Sequence, residues 1–235
     1  MSLETILDKK FEELDKPDIN RPMHINDTDV IGNVRGFLTS IKEKDSDLHA
    51  HSVRTAITAS ELVRYKMEML ERPGVKYQKG TLIAGCLHDL GKIKLGSELL
   101  KKDSFTEQDY IEMRKHVEYS WQMVSDIFPF AAEIIITHHL FQEKPYPLEL
   151  PQPKIDLPMH VRYMARVCGK FLAIADQHDS LLYRVNERTG NKKLSDEEVK
   201  KELKEKICNL KEARIRPETI DSFYELGILG TREWS

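Results

Sequence analysis

Three features of the sequence predict an all-α fold. From Val34 onward apolar residues recur at helical spacing, prolines and glycines fall at the ends of those stretches, and no run alternates polar with apolar residues as a half-buried strand would. Leu3–Leu14 reads as a short helix, and Pro17 and Pro22 mark an irregular connector behind it. "HSVRTAITASELVRYKMEML" stacks Val53, Ala56, Ile57, Leu62, Val63, Met67 and Leu70 on one face, with Pro73 and Gly74 as its stop. A second helix is expected near Lys79–Leu90, closed by Gly91. Thr106 suits the N-cap of a third helix running through Ser125, with Asp109 at its third position. Apolar "AAEIIIT" then leads into the pair His138–His139. A loop carrying Pro145, Pro147, Pro151, Pro153 and Pro158 precedes a long helix expected from Met159 to Tyr183. Past the polar turn "NERTGNKKLSDEE", Ser195 and Glu198 form a capping box, and Pro217 opens a last helix that Gly227 closes. The expected architecture is a compact helical bundle. Residues 46–235 form its main domain, and residues 1–45 a helical extension that either packs on it or mediates a homodimer.

The bulk numbers exclude several functions. A net charge of −3 over 235 residues gives no general electrostatic grip on a nucleic-acid duplex. Cys86, Cys168 and Cys208 are odd in number and far apart, which suits reduced core thiols rather than a disulfide framework. No apolar run approaches the roughly 20 residues of a membrane helix, and the N-terminal stretch is too charged for a signal peptide. A cytoplasmic protein is expected.

The histidines carry the chemical signal. Of nine, His24 and His160 stand beside methionine and look incidental. His49 and His51 open the long helix, His88 precedes Asp89, His116 lies on the third helix, and His138 and His139 are adjacent. His178 lies between Asp176 and Asp179. A single helical histidine is more often a surface or core residue than a ligand. Here each stands at the end or apolar edge of a separate helix, and imidazole with carboxylate suits first-row divalent metals. Neighbours on a helix point about 100° apart, so His138 and His139 suit two neighbouring ions better than one.

At "HDLGKIKL", residues 88–95, the sequence resembles a known family. His51, then His88–Asp89, then Asp176 reproduces the H…HD…D order of the HD-domain metal-dependent phosphohydrolases. "HDLGKIKLGSELLKKDSFTEQDYIEMRKHVEYSWQMV", "ITHH", "LPMHVRYMARVCGKFLAIADQHDSL" and "IRPETIDSFYEL" resemble in turn the motifs of its HD-GYP subfamily. The likeness runs from about Asp47 to the C-terminus. It implies a helical fold around two or three divalent transition metals, commonly iron or manganese. The implied ligands are His51, His88, Asp89, His116, His138, His139 and Asp176. Asp47, one turn before His51, matches a carboxylate that some trinuclear members add, and equally suits an exposed helix start.

The resemblance also implies hydrolysis of cyclic di-GMP. In that chemistry two cations hold a bridging hydroxide at neutral pH. Asp89 would bridge them through its two oxygens, and Asp176 would ligate one and orient the nucleophile. Lys92, three residues after Asp89, would lie beside the metals and the phosphate; a helix-end lysine is the other reading. Lys102 matches a family lysine and could equally be solvated. Arg184 and Arg188 lie near the arginine segment of the family without its spacing, and either could hold a phosphate or be an ordinary exposed residue.

One segment departs from the subfamily pattern HHExxDGxGYP. Here it is "HHLFQEKPYP": Leu140 replaces the glutamate, and Pro145 stands where the first residue of GYP should be glycine. Proline fixes φ and lacks an N–H, so this loop must take another path. The change leaves room for a different nucleotide or phosphoester. Two further readings are a non-catalytic nucleotide- or partner-binding module and a metal-stabilised structural domain.

Overall fold

A computed structural model describes residues 1–14, 27–71, 74–102, 104–153, 155–185, 192–210 and 214–234. Eleven α-helices run through them, joined by short 3-10 turns and one π-helical turn, and no strand occurs among the described residues. They are α1 (Leu3–Leu14), α2 (Asp27–Lys44), α3 (Ser46–Met69), α4 (Val75–Leu87), α5 (Ser97–Leu100), α6 (Glu107–Arg114), α7 (His116–Val124), α8 (Pro129–Thr137), α9 (Met159–Tyr183), α10 (Asp196–Leu203) and α11 (Pro217–Glu225).

The long helices α3 and α9 form the frame, with α4 packed on both and α8 against α9. Asp45 caps α3, its carboxylate accepting from the Asp47 and Leu48 backbone N–H groups. Small residues let the helices approach. A Cβ on Gly85 would lie 2.4 Å from the Ala56 Cα, so the α3 and α4 backbones touch there. Helix α1 buries Leu7, Phe11 and Leu14, spaced to share one stripe, and packs on α3 and α4. Helix α2 lies on α3 and α4 with Val30, Val34, Leu38 and Ile41 buried in the same core. No described helix is long and apolar enough to cross a membrane.

The ends of α1 and α9 fall where the sequence places them, and Thr106–Asp109 and Ser195–Glu198 both close as capping boxes. Gly227 takes a positive φ of 66° just past α11. Three expectations need correction. Leu70 is not on the buried face; it is the half-exposed C-cap of α3. The second helix spans Val75–Leu87 rather than Lys79–Leu90, and a 3-10 turn at Leu90–Lys94 follows. The chain leaves the helix because its polar groups are taken elsewhere. The Gly85 carbonyl faces the His88 imidazole, the His88 carbonyl accepts the Ser120 hydroxyl, and Gly91 N–H donates to the Ser120 oxygen. The third helix breaks at Lys115, where the Met113 carbonyl accepts the His116 ring N–H. Pro17, Pro22, Pro73, His24 and Arg188 lie outside the described residues.

Candidate metal centre

All seven expected ligands converge, five of them buried and two, Asp176 and His139, partly exposed at the edge of the core. His51 comes from the second turn of α3. His88 is the C-cap of α4, and Asp89 follows it. His116 starts α7, His138 is the C-cap of α8, and Asp176 comes from the C-terminal half of α9. His51, His88, Asp89, His116 and His138 are almost wholly buried.

Asp89 is the hub. Its Oδ2 lies 3.6 Å from the Nε2 atoms of both His51 and His88, and its Oδ1 lies 3.2 Å from the Nε2 of His116. Asp176 Oδ1 is 3.2 Å from His51 Nε2 and 3.7 Å from His88 Nε2. Lys92 closes the other side, its ammonium 2.6 Å from Asp89 Oδ2. The His138 and His139 rings lie 3.8 Å apart, and Tyr146 stacks on His139 at 4.4 Å.

The opposite ring nitrogens fix the tautomers. Nδ1 of His88, His116 and His138 lies 2.8, 2.6 and 2.5 Å from the carbonyl oxygens of Gly85, Met113 and Ile135. A carbonyl only accepts, so Nδ1 carries a proton, and in the neutral imidazole Nε2 presents a lone pair. Nδ1 of His51 instead meets Asp179 Oδ2 at 2.7 Å. The Nε2 atoms of all four histidines are buried without a hydrogen-bond partner. Lone pairs and carboxylate oxygens thus face one another in a buried space. Such donors repel unless a cation lies among them, and the residues present fit a divalent metal on that ground.

The protonation states agree. Burial pushes the carboxyls of Asp89 and Asp176 upward, but neighbouring charge overcomes it. Lys92 and the histidines hold Asp89, and the His51 and His88 imidazoles beside it hold Asp176, well below the usual carboxylate range. Burial drives His116 down to about 3 and His138 to about 4, and holds His139 well below 6.5. His88 goes the other way: burial lowers it, yet Asp89 and Asp176 outweigh burial and raise it. At neutral pH most of these groups are already in their metal-binding forms.

Three combinations bring ligand atoms within 4.8 Å of one another: His116, His138 and His139; His51, His88 and Asp89; and His88, His138 and Asp176. The remaining sequence candidates lie apart. Asp47 is exposed in the first turn of α3 and belongs to none of these groups. Lys102 pairs with Asp109 at 2.6 Å on the surface, and Arg184 is the C-cap of α9. His160 is exposed, and His49 is buried away from the cluster among Glu4 and Lys42. His178 faces the C-terminal segment, its Nε2 accepting the Gly230 N–H. Two contacts escaped the sequence reading, Asp179 with Arg54 behind His51 and Tyr146 over His139. Arg54 follows His51, and Asp179 follows Asp176, by three residues, a spacing that puts each on the face of a cluster residue. A separate cleft of about 500 Å³, lined by Glu133, Thr137, Arg162 and Arg166 among others, contains none of the cluster residues.

The HD domain family model matches residues 48–228, more than three quarters of the chain. The chain belongs to the HD domain family. No curated protein matches it. An HD domain is in general a metal-dependent phosphohydrolase that binds divalent metals, and the histidine–aspartate cluster supplies the groups to do so.

Proposed function

We propose that this HD domain is a phosphodiesterase of the cyclic di-GMP type. The observation that carries the proposal is the set of four buried Nε2 lone pairs around Asp89 and Asp176. In this reading His51, His88, Asp89 and Asp176 would hold one metal, and His116, His138 and His139 a second. Asp89 would serve both groups, since its Oδ2 faces His51 and His88 and its Oδ1 faces His116. All-nitrogen and oxygen donors with a majority of imidazoles suit iron or manganese. Asp47, exposed as it is, would serve a third ion only after a movement of the first turn of α3.

When bound, divalent metals lower the pKa of a water and neutralise charge on phosphoryl oxygens. The chain's own residues do the rest. Asp89 and Asp176 stay ionised and keep their lone pairs available. The neutral imidazoles hold their Nε2 atoms fixed through Nδ1. Lys92 brings a positive charge beside Asp89 in a buried setting, where it can meet a phosphoryl oxygen. Lys102 and Arg184 would reach a substrate only at its periphery.

A smaller phosphoester is a second reading, favoured by Tyr146. Its ring lies flat on His139 and meets the Arg114 guanidinium at 5.3 Å, so the "KPYP" loop narrows one approach to the cluster. One experiment separates the readings. Purified protein is analysed for metal, loaded with Mn(II) or Fe(II), and offered cyclic di-GMP beside linear dinucleotides, nucleoside monophosphates and a generic aryl phosphate. Cyclic di-GMP turnover that vanishes in Asp89→Ala supports the first reading. Turnover confined to the small esters supports the second, and none with any substrate refutes both.

A further inference from the structure

We propose that Asp179 is the positioning residue of His51, and that Arg54 holds Asp179 in place for it. The proposal rests on the reading of His51 as a metal ligand. His88, His116 and His138 stand at helix ends or breaks, and each takes support from the carbonyl three residues earlier. His51 stands inside α3, where carbonyls serve the helix itself. Its own helix offers only the Thr55 hydroxyl, 3.5 Å from Nδ1, and the close support comes from α9: Asp179 Oδ2 lies 2.7 Å from His51 Nδ1.

A carboxylate does more here than a carbonyl. It fixes the tautomer and the ring plane, and its charge makes the imidazole a stronger donor at Nε2. Asp179 is 3% exposed, so its charge needs a partner. Arg54 provides it in a two-pronged grip, with Nε 2.6 Å from Oδ1 and Nη2 3.0 Å from Oδ2. The guanidinium lies 4.3 Å over the Tyr183 ring, and the Tyr183 hydroxyl accepts the Trp234 indole N–H at 2.8 Å. The orientation of Asp179 is thus set from behind by three further side chains. Helices α3 and α9 each carry a ligand and, three residues on, one member of the supporting pair: Arg54 after His51 on α3, and Asp179 after Asp176 on α9.

The test compares wild type with Asp179→Asn, Arg54→Ala and Arg54→Lys. Circular dichroism establishes the fold of each metal-free protein. Mn(II) stoichiometry and Kd, and the visible absorption bands of the Co(II)-loaded protein, report the site. Loss of an outer partner of a metal-bound histidine typically weakens binding by about 10- to 100-fold. That loss is expected for Asp179→Asn and Arg54→Ala, with shifted Co(II) bands. Arg54→Lys, which keeps the charge, recovers part of the affinity. A folded Asp179→Asn with wild-type Kd and unchanged Co(II) bands overturns the proposal and leaves the metal site standing. If Asp179→Asn does not fold, wild-type affinity in Arg54→Ala overturns it. Wild-type protein that takes up no metal overturns the ligand reading and this proposal together.

Discussion

Replacing Gly91 with alanine tests whether the turn that carries Asp89 must touch the helix that carries His116. A Cβ at Gly91 would lie 2.1 Å from the His116 carbonyl oxygen, and 2.7 Å from both Ser120 N and Tyr119 Cβ. Carbon and carbonyl oxygen rest at about 3.3 Å, so roughly 1.2 Å of separation must be found. Two of the three atoms are backbone and the third is a Cβ, so no rotamer change provides it. Overpacking of this kind costs about 1–3 kcal/mol. The shift also strains the Gly91 N–H to Ser120 bond, 2.7 Å, and the Ser120 to His88 carbonyl bond, 2.8 Å, at about 1 kcal/mol each. A total near 3–5 kcal/mol corresponds to a fall in melting temperature of about 10 °C for a chain of this size. The same movement separates Asp89 from His116, now 3.2 Å apart, so metal content should fall along with stability. Calorimetry and metal analysis of Gly91→Ala give both readings. A melting point within about 2 °C of wild type, with a full metal complement, would refute the close-approach argument.

Three other outcomes are expected. Metal-free protein should lose stability as pH falls below 6.5, because buried His116, His138 and His178 have folded pKa values near 3, 4 and 4 and the unfolded chain takes up protons first. His138 alone removes roughly 3 kcal/mol by pH 4, Asp89 and Asp176 add to the loss below their ordinary carboxylate pKa of about 4, and a urea midpoint unchanged between pH 7 and 4.5 would contradict this. His88 has the opposite sign: its pKa is raised, its contribution is present below 6.5 and lost as pH rises through the folded value, and metal uptake at a pH where His88 is protonated must expel that proton. Calorimetric titration in two buffers of different ionisation enthalpy should register that release, and identical heats would count against it. Tyr146→Ala should cost about 1 kcal/mol of stacking and, by uncovering His139, raise its titration in NMR toward 6.5.

The helices were legible because their signals are local. Thr106 with Asp109, Ser195 with Glu198 and the span Met159–Tyr183 rest on spacing within one segment. The breaks were not, since they depend on partners far along the chain. Helix α4 gives way before Leu90 because Ser120, about thirty residues on, takes the His88 carbonyl and the Gly91 N–H. Gly91 itself reads as a helix stop in sequence, yet what requires glycine is the backbone of α7 against it. The site divides the same way. The histidines and aspartates that converge were recognisable by type and order. Asp179 and Arg54 were not singled out, because an ion pair between residues 125 apart has no local signature.

The arrangement of helix ends favours a cation among the cluster residues. His88 caps the C-terminus of α4, His138 caps that of α8, and His116 stands just past the end of α6. A helix C-terminus carries about half a negative charge on its unpaired carbonyls. The ends of α4 and α8 meet at one place, together with two ionised carboxylates, and Lys92 offsets only part of that charge, while at the α6–α7 junction the start of α7 cancels the end of α6. The terminal carbonyls also serve a second purpose: by accepting from Nδ1 they turn each imidazole so that Nε2 faces inward. One feature of backbone geometry therefore supplies both the field that attracts a cation and the orientation of the atoms that would hold it. His51, inside α3, has neither advantage, and Asp179 supplies for it both the negative charge and the hydrogen bond that the helix ends provide elsewhere.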